Sequence, residues 1–149
     1  MVKFASPEWA ELYIDAVNSN ENYAKAADWW TGDFIFQVDP HEGLKKQILM
    51  WVGLHKGKCT GCAILKEGEK YKMLEKGDTP TGEPFEVEFV YSARIDVWEK
   101  ILKKELDPIR ALLSGQARVT GDMPKVLRAT EAAKELVVSA TTIDTEFYD

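Results

Sequence analysis

Residues 95–127 read IDVWEKILKKELDPIRALLSGQARVTGDMPKVL, and they predict a helix, a short helix, a strand and a further helix in that order. Trp98, Ile101 and Leu102 recur three and four residues apart, which is the spacing of one apolar helix face. Asp96 precedes them, and its carboxylate can accept a hydrogen bond from an unpaired amide of the first turn. The stretch therefore opens with an amphipathic helix that Asp96 is expected to cap.

The same stretch continues with further signals for helix boundaries. Asp107 is a capping residue, and Pro108 follows it at the first helical position, where the missing N–H of proline does no harm. Gly115 can adopt the left-handed conformation that ends a helix. Val119 then lies between polar residues in a short strand, and Asp122 begins the last helix. The apolar side of that helix comprises Met123, Val126 and Leu127.

Taken as a set, these caps, glycines and apolar positions resemble the C-terminal half of the sterol carrier protein 2-like (SCP2-like) lipid-transfer family. The resemblance covers most of the chain and is strongest from Asp96 onward. Most of the matching residues specify a helix, strand and helix scaffold, so the functional part of the resemblance depends on a cavity. The matching residues are Asp96, Trp98, Ile101, Leu102, Leu106, Asp107, Pro108, Leu113, Gly115, Val119, Gly121, Asp122, Met123, Val126 and Leu127.

Length and composition indicate a single domain over residues 1–149. The chain is 45% hydrophobic and 30% charged, as in a soluble globular protein. A net charge of -6 argues against nucleic acid as a partner, because phosphate neutralisation needs clustered basic residues. Glu8, Glu11 and Asp15 interrupt the first periodic stretch, and no apolar run is long enough for a membrane span. We therefore expect a cytoplasmic protein with at most transient membrane contact.

The charge is distributed unevenly along the chain. Residues 95–128 hold seven basic and five acidic residues, so the remainder carries about -8 against a total of -6. Solvated helix faces explain such a distribution, and so does a mouth that attracts anionic head groups or the phosphates of CoA.

Two helices are expected before the first strand. Ser6 is a capping residue, and Pro7 follows it at the first helical position. A second helix is expected around Tyr23, with Thr31 and Gly32 at its end. The apolar face of the first helix comprises Trp9, Leu12, Tyr13, Ala16 and Val17.

The apolar period then changes to two, which indicates strands. Phe34 and Phe36 share one face of the first of these strands, and residues 46–55 predict the longest one. Leu49 and Trp51 make the second face of that long strand apolar as well. A helix, a loop or another subunit must cover them, so a homodimer is one expectation.

The segment after residue 58 carries several shorter patterns. Residues 59–66 and 71–74 predict strands, and residues 77–84 predict a loop that can cover a cavity entrance. Residues 85–92 predict the most regular strand, followed later by a C-terminal helix from Thr130. In that strand the expected inward residues are Phe85, Val87, Phe89 and Tyr91, and the expected outward residues include Glu86 and Glu88.

The element order predicts an α+β fold with an antiparallel or mixed sheet of about five strands and helices packed on one face. The SCP2-like fold has this arrangement. The resemblance further implies an apolar tunnel between the two layers, which holds a fatty acyl chain, a sterol or a phospholipid.

Cys59 and Cys62 form a C-x-x-C pattern, and His55 lies four residues before it. Such a pair can be a redox disulfide, half of a zinc site or two ordinary thiols. Residues three apart on a regular strand point to opposite faces, so the thiols diverge unless Gly61 forms a bulge.

Other catalytic motifs are incomplete. Residues 53–58 are one residue short of a phosphate-binding loop, and a cysteine follows where Ser or Thr would bind magnesium. No G-x-S-x-G occurs, and neither His41 nor His55 has a Ser or Asp partner in a triad-like context. Asp39 beside His41 is better explained by turn chemistry. We therefore predict no enzymatic activity and no cofactor.

The inward apolar residues remain as candidate ligand-binding residues, and the resemblance implies that a lipid replaces part of this core. They are Phe34, Phe36, Met50, Phe85, Phe89, Tyr91, Trp98, Leu112, Leu113, Met123 and Leu127. The resulting hypothesis is a carrier of a fatty acid, acyl-CoA or sterol-like ligand without turnover. The alternatives are an accessory or dimerising subunit of a lipid- or CoA-metabolising enzyme, and a metal or thiol site at Cys59, Cys62 and His55.

Overall fold

The computed structural model describes residues 1–75 and 77–148, and within them the chain forms nine strands and six helices. The strands are β1 (Val2–Lys3), β2 (Phe34–Asp39), β3 (Ile48–His55), β4 (Lys58–Ile64), β5 (Lys72–Met73), β6 (Glu86–Val87), β7 (Phe89–Arg94), β8 (Ala117–Thr120) and β9 (Thr145–Glu146). The helices are α1 (Pro7–Asn18), α2 (Glu21–Ala26), α3 (Ile95–Leu102), α4 (Pro108–Leu113), α5 (Met123–Arg128) and α6 (Thr130–Thr141).

Five strands form a mixed sheet in the order β4-β3-β2-β7-β8. The central strands β2 and β7 run parallel, and the other neighbours in this sheet run antiparallel. The parallel register pairs Phe34 with Phe89 and Phe36 with Tyr91, so four aromatic side chains share one face. The helices pack over this face around the main core. The predicted α+β class with about five strands is confirmed.

Most of the predicted helix boundaries are confirmed by side-chain caps. Ser6 Oγ accepts from the Trp9 amide at 3.2 Å, and Asp122 Oδ1 accepts from the Lys125 amide at 3.2 Å. Gly115 has a φ of 79°, as a residue that ends a helix in the left-handed conformation should.

The predicted cap at Asp96 is wrong. Arg94 occupies the N-cap position of α3 and makes no side-chain cap, whereas Asp96 lies inside the first turn. The Asp96 carboxylate instead accepts from Arg94 Nε at 2.9 Å and from Arg94 Nη2 at 2.6 Å. The neighbouring arginine competes for the carboxylate, which stays favourably placed near the positive end of the helix.

The second helix is shorter than predicted. It ends at Ala26, whose carbonyl accepts from the indole N–H of Trp29 at 3.0 Å. The following backbone bonds to the end of β3 instead of continuing the helix: the Trp30 carbonyl accepts from Lys56 N at 2.7 Å. A partner far away in the sequence therefore decides where this helix stops.

The predicted continuous strand over residues 85–92 is also wrong. It is divided at Glu88, because the amides of Glu88 and Phe89 both donate to the Asp33 carbonyl, at 3.1 and 3.2 Å. β6 before this point pairs with β5, whereas β7 after it joins the main sheet. Phe85 has a φ of 62° and lies against Trp51 on the outer face of the sheet.

Glu86 does not point into solvent as predicted. It is buried, and its carboxylate accepts from the amides of Thr81, Gly82 and Glu83 at 2.9 to 3.1 Å. This carboxylate fixes the turn over residues 77–84, and the turn lies over the outer face of the sheet. These residues therefore cover a groove on the outer face of the sheet, and not the space between the sheet and the helices.

The outer face of the sheet is covered by the chain itself. Ile35, Val87 and Val90 are buried there together with the partly buried Leu49 and Trp51. Their further neighbours are Leu65, Tyr71 and Met73, which belong to the segment over residues 65–87. A loop therefore covers the apolar second face of β3. The apolar character of Leu49 and Trp51, which suggested a homodimer, is thus explained by contacts within one chain.

We expect Asp107→Ala to lower the free energy of unfolding by about 1 kcal/mol. Asp107 Oδ1 accepts from the amides of Ile109 and Arg110, at 2.8 and 3.1 Å, and the substitution leaves both amides uncapped. Asp107→Asn is the matched control, because an asparagine oxygen caps a helix about as well. Urea unfolding of the three proteins checks this; equal losses in both variants would contradict the capping role.

Candidate functional site

A cavity of about 100 Å³ lies between the sheet and the helices. The sheet contributes Phe34, Phe36, Met50, Leu54 and Tyr91 to its lining. The first two helices and their flanks contribute Phe4, Trp9, Tyr13, Tyr23 and Trp30. The C-terminal half contributes Trp98, Ile101, Leu102, Pro108, Ile109, Val126, Ala129, Ala132, Ala133, Leu136, Val137 and Ala140. Every lining side chain is apolar or aromatic.

Five of the six hydroxyl and indole groups in the lining are hydrogen-bonded to the protein itself, and the Tyr23 hydroxyl has no hydrogen-bond partner among residues 1–75 and 77–148. Tyr91 Oη donates to the Pro108 carbonyl at 2.8 Å, and Tyr13 Oη donates to the Leu136 carbonyl at 2.9 Å. Trp98 Nε1 donates to the Gln37 carbonyl at 3.0 Å. Burial raises the pKa of the Tyr13 and Tyr91 phenols, which therefore stay neutral at ordinary pH. The cavity therefore offers a ligand mainly apolar contact.

Five of the predicted ligand-binding residues line this cavity, namely Phe34, Phe36, Met50, Tyr91 and Trp98. Phe89 and Leu112 are buried but lie outside the lining. The Phe89 ring stacks on Phe34 with centroids 5.0 Å apart and lies 5.1 Å from the Trp30 ring. It therefore supports the cavity wall from behind.

The other predicted residues lie away from the cavity. Leu113 is 71% exposed, because it follows the inward Leu112 on α4 by one residue and so points outward. Leu127 is 36% exposed, and Met123 packs at the edge of the core. Phe85 lies on the outer face of the sheet.

Sequence reasoning missed the contribution of α1, α2 and α6 to the lining. The signal was present, because Trp9 and Tyr13 recur at helical spacing, as do Ala133, Leu136 and Val137. The aromatic face of the sheet must be covered by the apolar faces of helices. Those helix faces then form the second wall of the cavity between the sheet and the helices.

Six of the lining residues are partly exposed. Leu102 and Pro108 are half-buried at the end of α3 and the start of α4, Ala133, Leu136 and Val137 are half-buried on α6, and Phe36 is half-buried on β2. Most of the solvent-accessible lining therefore lies on α6 and around the connection from α3 to α4.

A groove of about 510 Å³ lies on the opposite side of the sheet, beneath the turn over residues 77–84. Asp33, Trp51, His55, Phe85 and Glu88 are among its lining residues. Burial raises the pKa of the Asp33 carboxyl, although the Leu54 amide that donates to it at 3.1 Å opposes this. His55 lies in this groove rather than beside the two cysteines.

The two cysteine side chains lie on the same face of β4. A register shift opposite Gly53 and Leu54 makes Thr60 an extra residue, so Cys62 pairs with Val52 and Cys59 with Leu54. β4 therefore contains a bulge, which is the condition under which the two thiols can point to the same face.

The environment of the two thiols does not favour reactivity. Both are unbridged and buried in the main core. Burial raises the pKa of Cys59 to about 11 and that of Cys62 further, so both stay protonated at neutral pH. Among residues 1–75 and 77–148, no group of three or more His, Cys, Asp or Glu side chains is placed to hold a metal ion.

The described part of the chain contains no helix with the length and apolar character that a membrane span requires.

The chain matches no protein-family model and no curated protein. Among solved structures, a crystal structure of sterol carrier protein 2 aligns at 28% identity with a TM-score of 0.77, covering 95% of this chain and 99% of that chain. A conserved hypothetical protein from Thermus thermophilus, described as a candidate sterol carrier protein, aligns at 26% identity with a TM-score of 0.79, covering 98% and 93%. The apo form of sterol carrier protein 2 from Yarrowia lipolytica aligns at 12% identity with a TM-score of 0.52, covering 89% of each chain. The chain therefore has the SCP2-like fold that the residues after Asp96 indicated.

We expect Asp33→Asn to remove a pH-dependent loss of stability. Because the folded state raises the pKa of Asp33, the folded protein binds this proton more tightly than the unfolded chain does. Stability therefore falls as pH rises from about 3.9 through the raised pKa. The Tm of the variant should match that of the wild type below this window and exceed it above. Glu83→Gln, at the exposed rim of the same groove, is the control; a Tm difference that does not change with pH would contradict the expectation.

Proposed function

We propose that this protein is a carrier that holds a fatty acid, an acyl-CoA or a sterol-like lipid between the sheet and the helices, without chemical turnover. The observation that carries the proposal is the apolar and aromatic lining, in which the Tyr13 and Tyr91 hydroxyls and the Trp98 indole are hydrogen-bonded to backbone carbonyls of the protein. The likeness to sterol carrier protein 2 at 28% identity supports the same function. The carrier would act in the cytoplasm, where its two unbridged thiols stay reduced.

The cavity must widen to admit such a ligand. Pockets for drug-sized ligands have volumes of about 300–1,000 Å³, and an engineered cavity of about 150 Å³ holds benzene. A space of about 100 Å³ therefore accommodates only a few carbon atoms. In this proposal the structure is the closed state, and a tunnel would form as the ligand separates elements of the wall.

The element suited to move is α6, because its two sides are held differently. On the side of α1 and α2, the Tyr13 hydroxyl donates to the Leu136 carbonyl, and Asn20 Nδ2 donates to Glu135 O at 3.2 Å and to Ser139 Oγ at 3.0 Å. α6 also contacts α3 and α4, and its half-buried Leu136 and Val137 side chains line the cavity. An acyl chain can replace these apolar contacts, while the polar contacts on the other side stay in place.

Burial of the ligand would supply the free energy for this opening. Each buried methylene contributes about 0.8 kcal/mol, so about ten methylenes contribute about 8 kcal/mol before the costs of opening and immobilisation. The polar head would remain at the opening, because the lining contains no charged side chain. Fatty acids and acyl-CoA would therefore compete for one site, and selectivity among chains would depend on length and shape.

Native mass spectrometry and lipid extraction of gently purified protein test the proposal directly. We expect co-purified lipid at near one equivalent, and displacement of a fluorescent fatty acid by unlabelled fatty acid, acyl-CoA or sterol after delipidation. Protein that carries no lipid and does not bind the fluorescent fatty acid would contradict the proposal.

A cavity-filling substitution separates a ligand site from ordinary core. Ala132 is buried on α6 and lines the cavity. We expect Ala132→Leu to weaken binding of the fluorescent fatty acid at least tenfold, because the new side chain occupies the space at which the ligand inserts. The free energy of unfolding should stay the same or rise by about 0.5–2 kcal/mol, as for other cavity-filling changes.

Ala111 provides the matched control for Ala132→Leu. It is fully buried on α4 but does not line the cavity. Ala111→Leu should lower the free energy of unfolding by about 1–3 kcal/mol, as overpacking of a close-packed core does. Full fatty acid affinity in Ala132→Leu, or equal destabilisation of the two variants, would show that the space near Ala132 is not the ligand site.

A further inference from the structure

We infer that the α3–α4 corner, defined as residues 100–113, is a docking surface for anionic lipid membranes. The inference rests on the proposed function, because it assigns the surface across which a lipid would reach the cavity. The charge of the corner, the exposed face of α4 and the partly exposed cavity lining at Leu102 and Pro108 support it.

The corner is basic within an acidic protein. It carries four basic and two acidic residues, in a chain whose net charge is -6. Lys103 pairs with Glu99 at 2.7 Å, and the Asp107 carboxylate caps α4. Of the remaining charged residues of the corner, the basic Lys100, Lys104 and Arg110 and the acidic Glu105 are exposed. The exposed charge of the corner is therefore predominantly positive, which complements anionic lipid head groups.

Helix α4 presents a basic and apolar face outward. Arg110 and Leu113 are three residues apart and therefore lie on one face of the helix, and Leu113 is 71% exposed. Ile109 and Leu112 on the other face are buried. Basic residues beside an exposed leucine are the combination with which a helix lies at a membrane interface, where the apolar side chain inserts among the acyl chains.

Lys104 adopts a conformation that glycine normally takes. Its φ is 62°, and it ends α3 while its own amide and that of Glu105 donate to the carbonyls of Ile101 and Lys100, at 3.0 and 2.9 Å. A side chain in this conformation is disfavoured relative to glycine. The strained conformation of Lys104 is consistent with a functional role for its positive charge at this surface.

The corner also adjoins the opening of the cavity. Leu102 and Pro108 belong to it, and both are partly exposed residues of the cavity lining. A membrane on this surface would lie next to this solvent-accessible part of the lining. The acidic remainder of the chain does not prevent this, because charges farther from the membrane than about 8 Å are largely screened at physiological ionic strength.

Flotation with vesicles tests the inference with the full chain. The probes are vesicles of phosphatidylcholine alone and of phosphatidylcholine with phosphatidylserine. We expect the wild type to bind only the vesicles that contain phosphatidylserine, and to be released by high salt. Lys104→Gln together with Arg110→Gln should weaken this binding about 25-fold, at about fivefold per basic residue removed. Leu113→Gln should weaken it further.

Lys66→Gln together with Lys70→Gln is the matched control. It removes the same charge from the exposed segment that covers the outer face of the sheet. Equal losses in the two double variants would overturn the inference, and so would a wild type that binds no vesicles. Binding to immobilised polyglutamate but not to vesicles would overturn it in favour of an acidic protein partner.

Fatty acid binding separates this inference from the proposed function. The corner variants should bind the fluorescent fatty acid like the wild type, because the substituted side chains do not line the cavity. A wild type that docks on vesicles but binds no fatty acid would contradict the proposed function and leave the docking surface intact.

Discussion

The parallel pairing of β2 with β7 is the constraint on which the rest of the molecule depends. It places Phe34 beside Phe89 and Phe36 beside Tyr91 on one face, and this aromatic face is too large to be left in water. The helices cover it, and the alanine side chains of α6 that line the cavity leave part of the space between the layers unfilled. The cavity thus lies against the aromatic face that the register of β2 and β7 sets.

The hydrogen bonds around the cavity explain why its interior is so uniform. Tyrosine and tryptophan are common near the cavity, but Tyr13, Tyr91 and Trp98 each donate to a backbone carbonyl of the protein. Buried polar atoms need partners, and here the scaffold supplies them. A guest molecule therefore meets ring faces and aliphatic carbon, which favours binding by burial and leaves its polar end for the protein surface.

Local signals in the sequence predicted most of the elements, and contacts between distant residues decided the remainder. The caps at Ser6, Asp107 and Asp122 depend only on neighbouring amides, and they were predictable for that reason. The division of the strand at Glu88 depends on the Asp33 carbonyl, more than fifty residues away, which no local period contains. Five of the eleven predicted lining residues reach the cavity. Alternation along a strand predicts which side chains face the helices, but it does not predict how a short helix is oriented, and the exposure of Leu113 depends on that orientation.

The different attachments of the two sides of α6 have a consequence for the thermodynamics of loading. Hydrogen bonds on one side and apolar contacts on the other respond differently to temperature, because exposure of apolar surface raises the heat capacity and exposure of polar surface lowers it. Parting the Leu136 and Val137 side from its neighbours would therefore make the open form the state of higher heat capacity. Cooling weakens apolar contacts, so the free energy difference that favours the closed form becomes smaller at low temperature. An acyl chain that fills the gap buries apolar surface again, and the heat capacity of the complex therefore returns toward that of the closed protein.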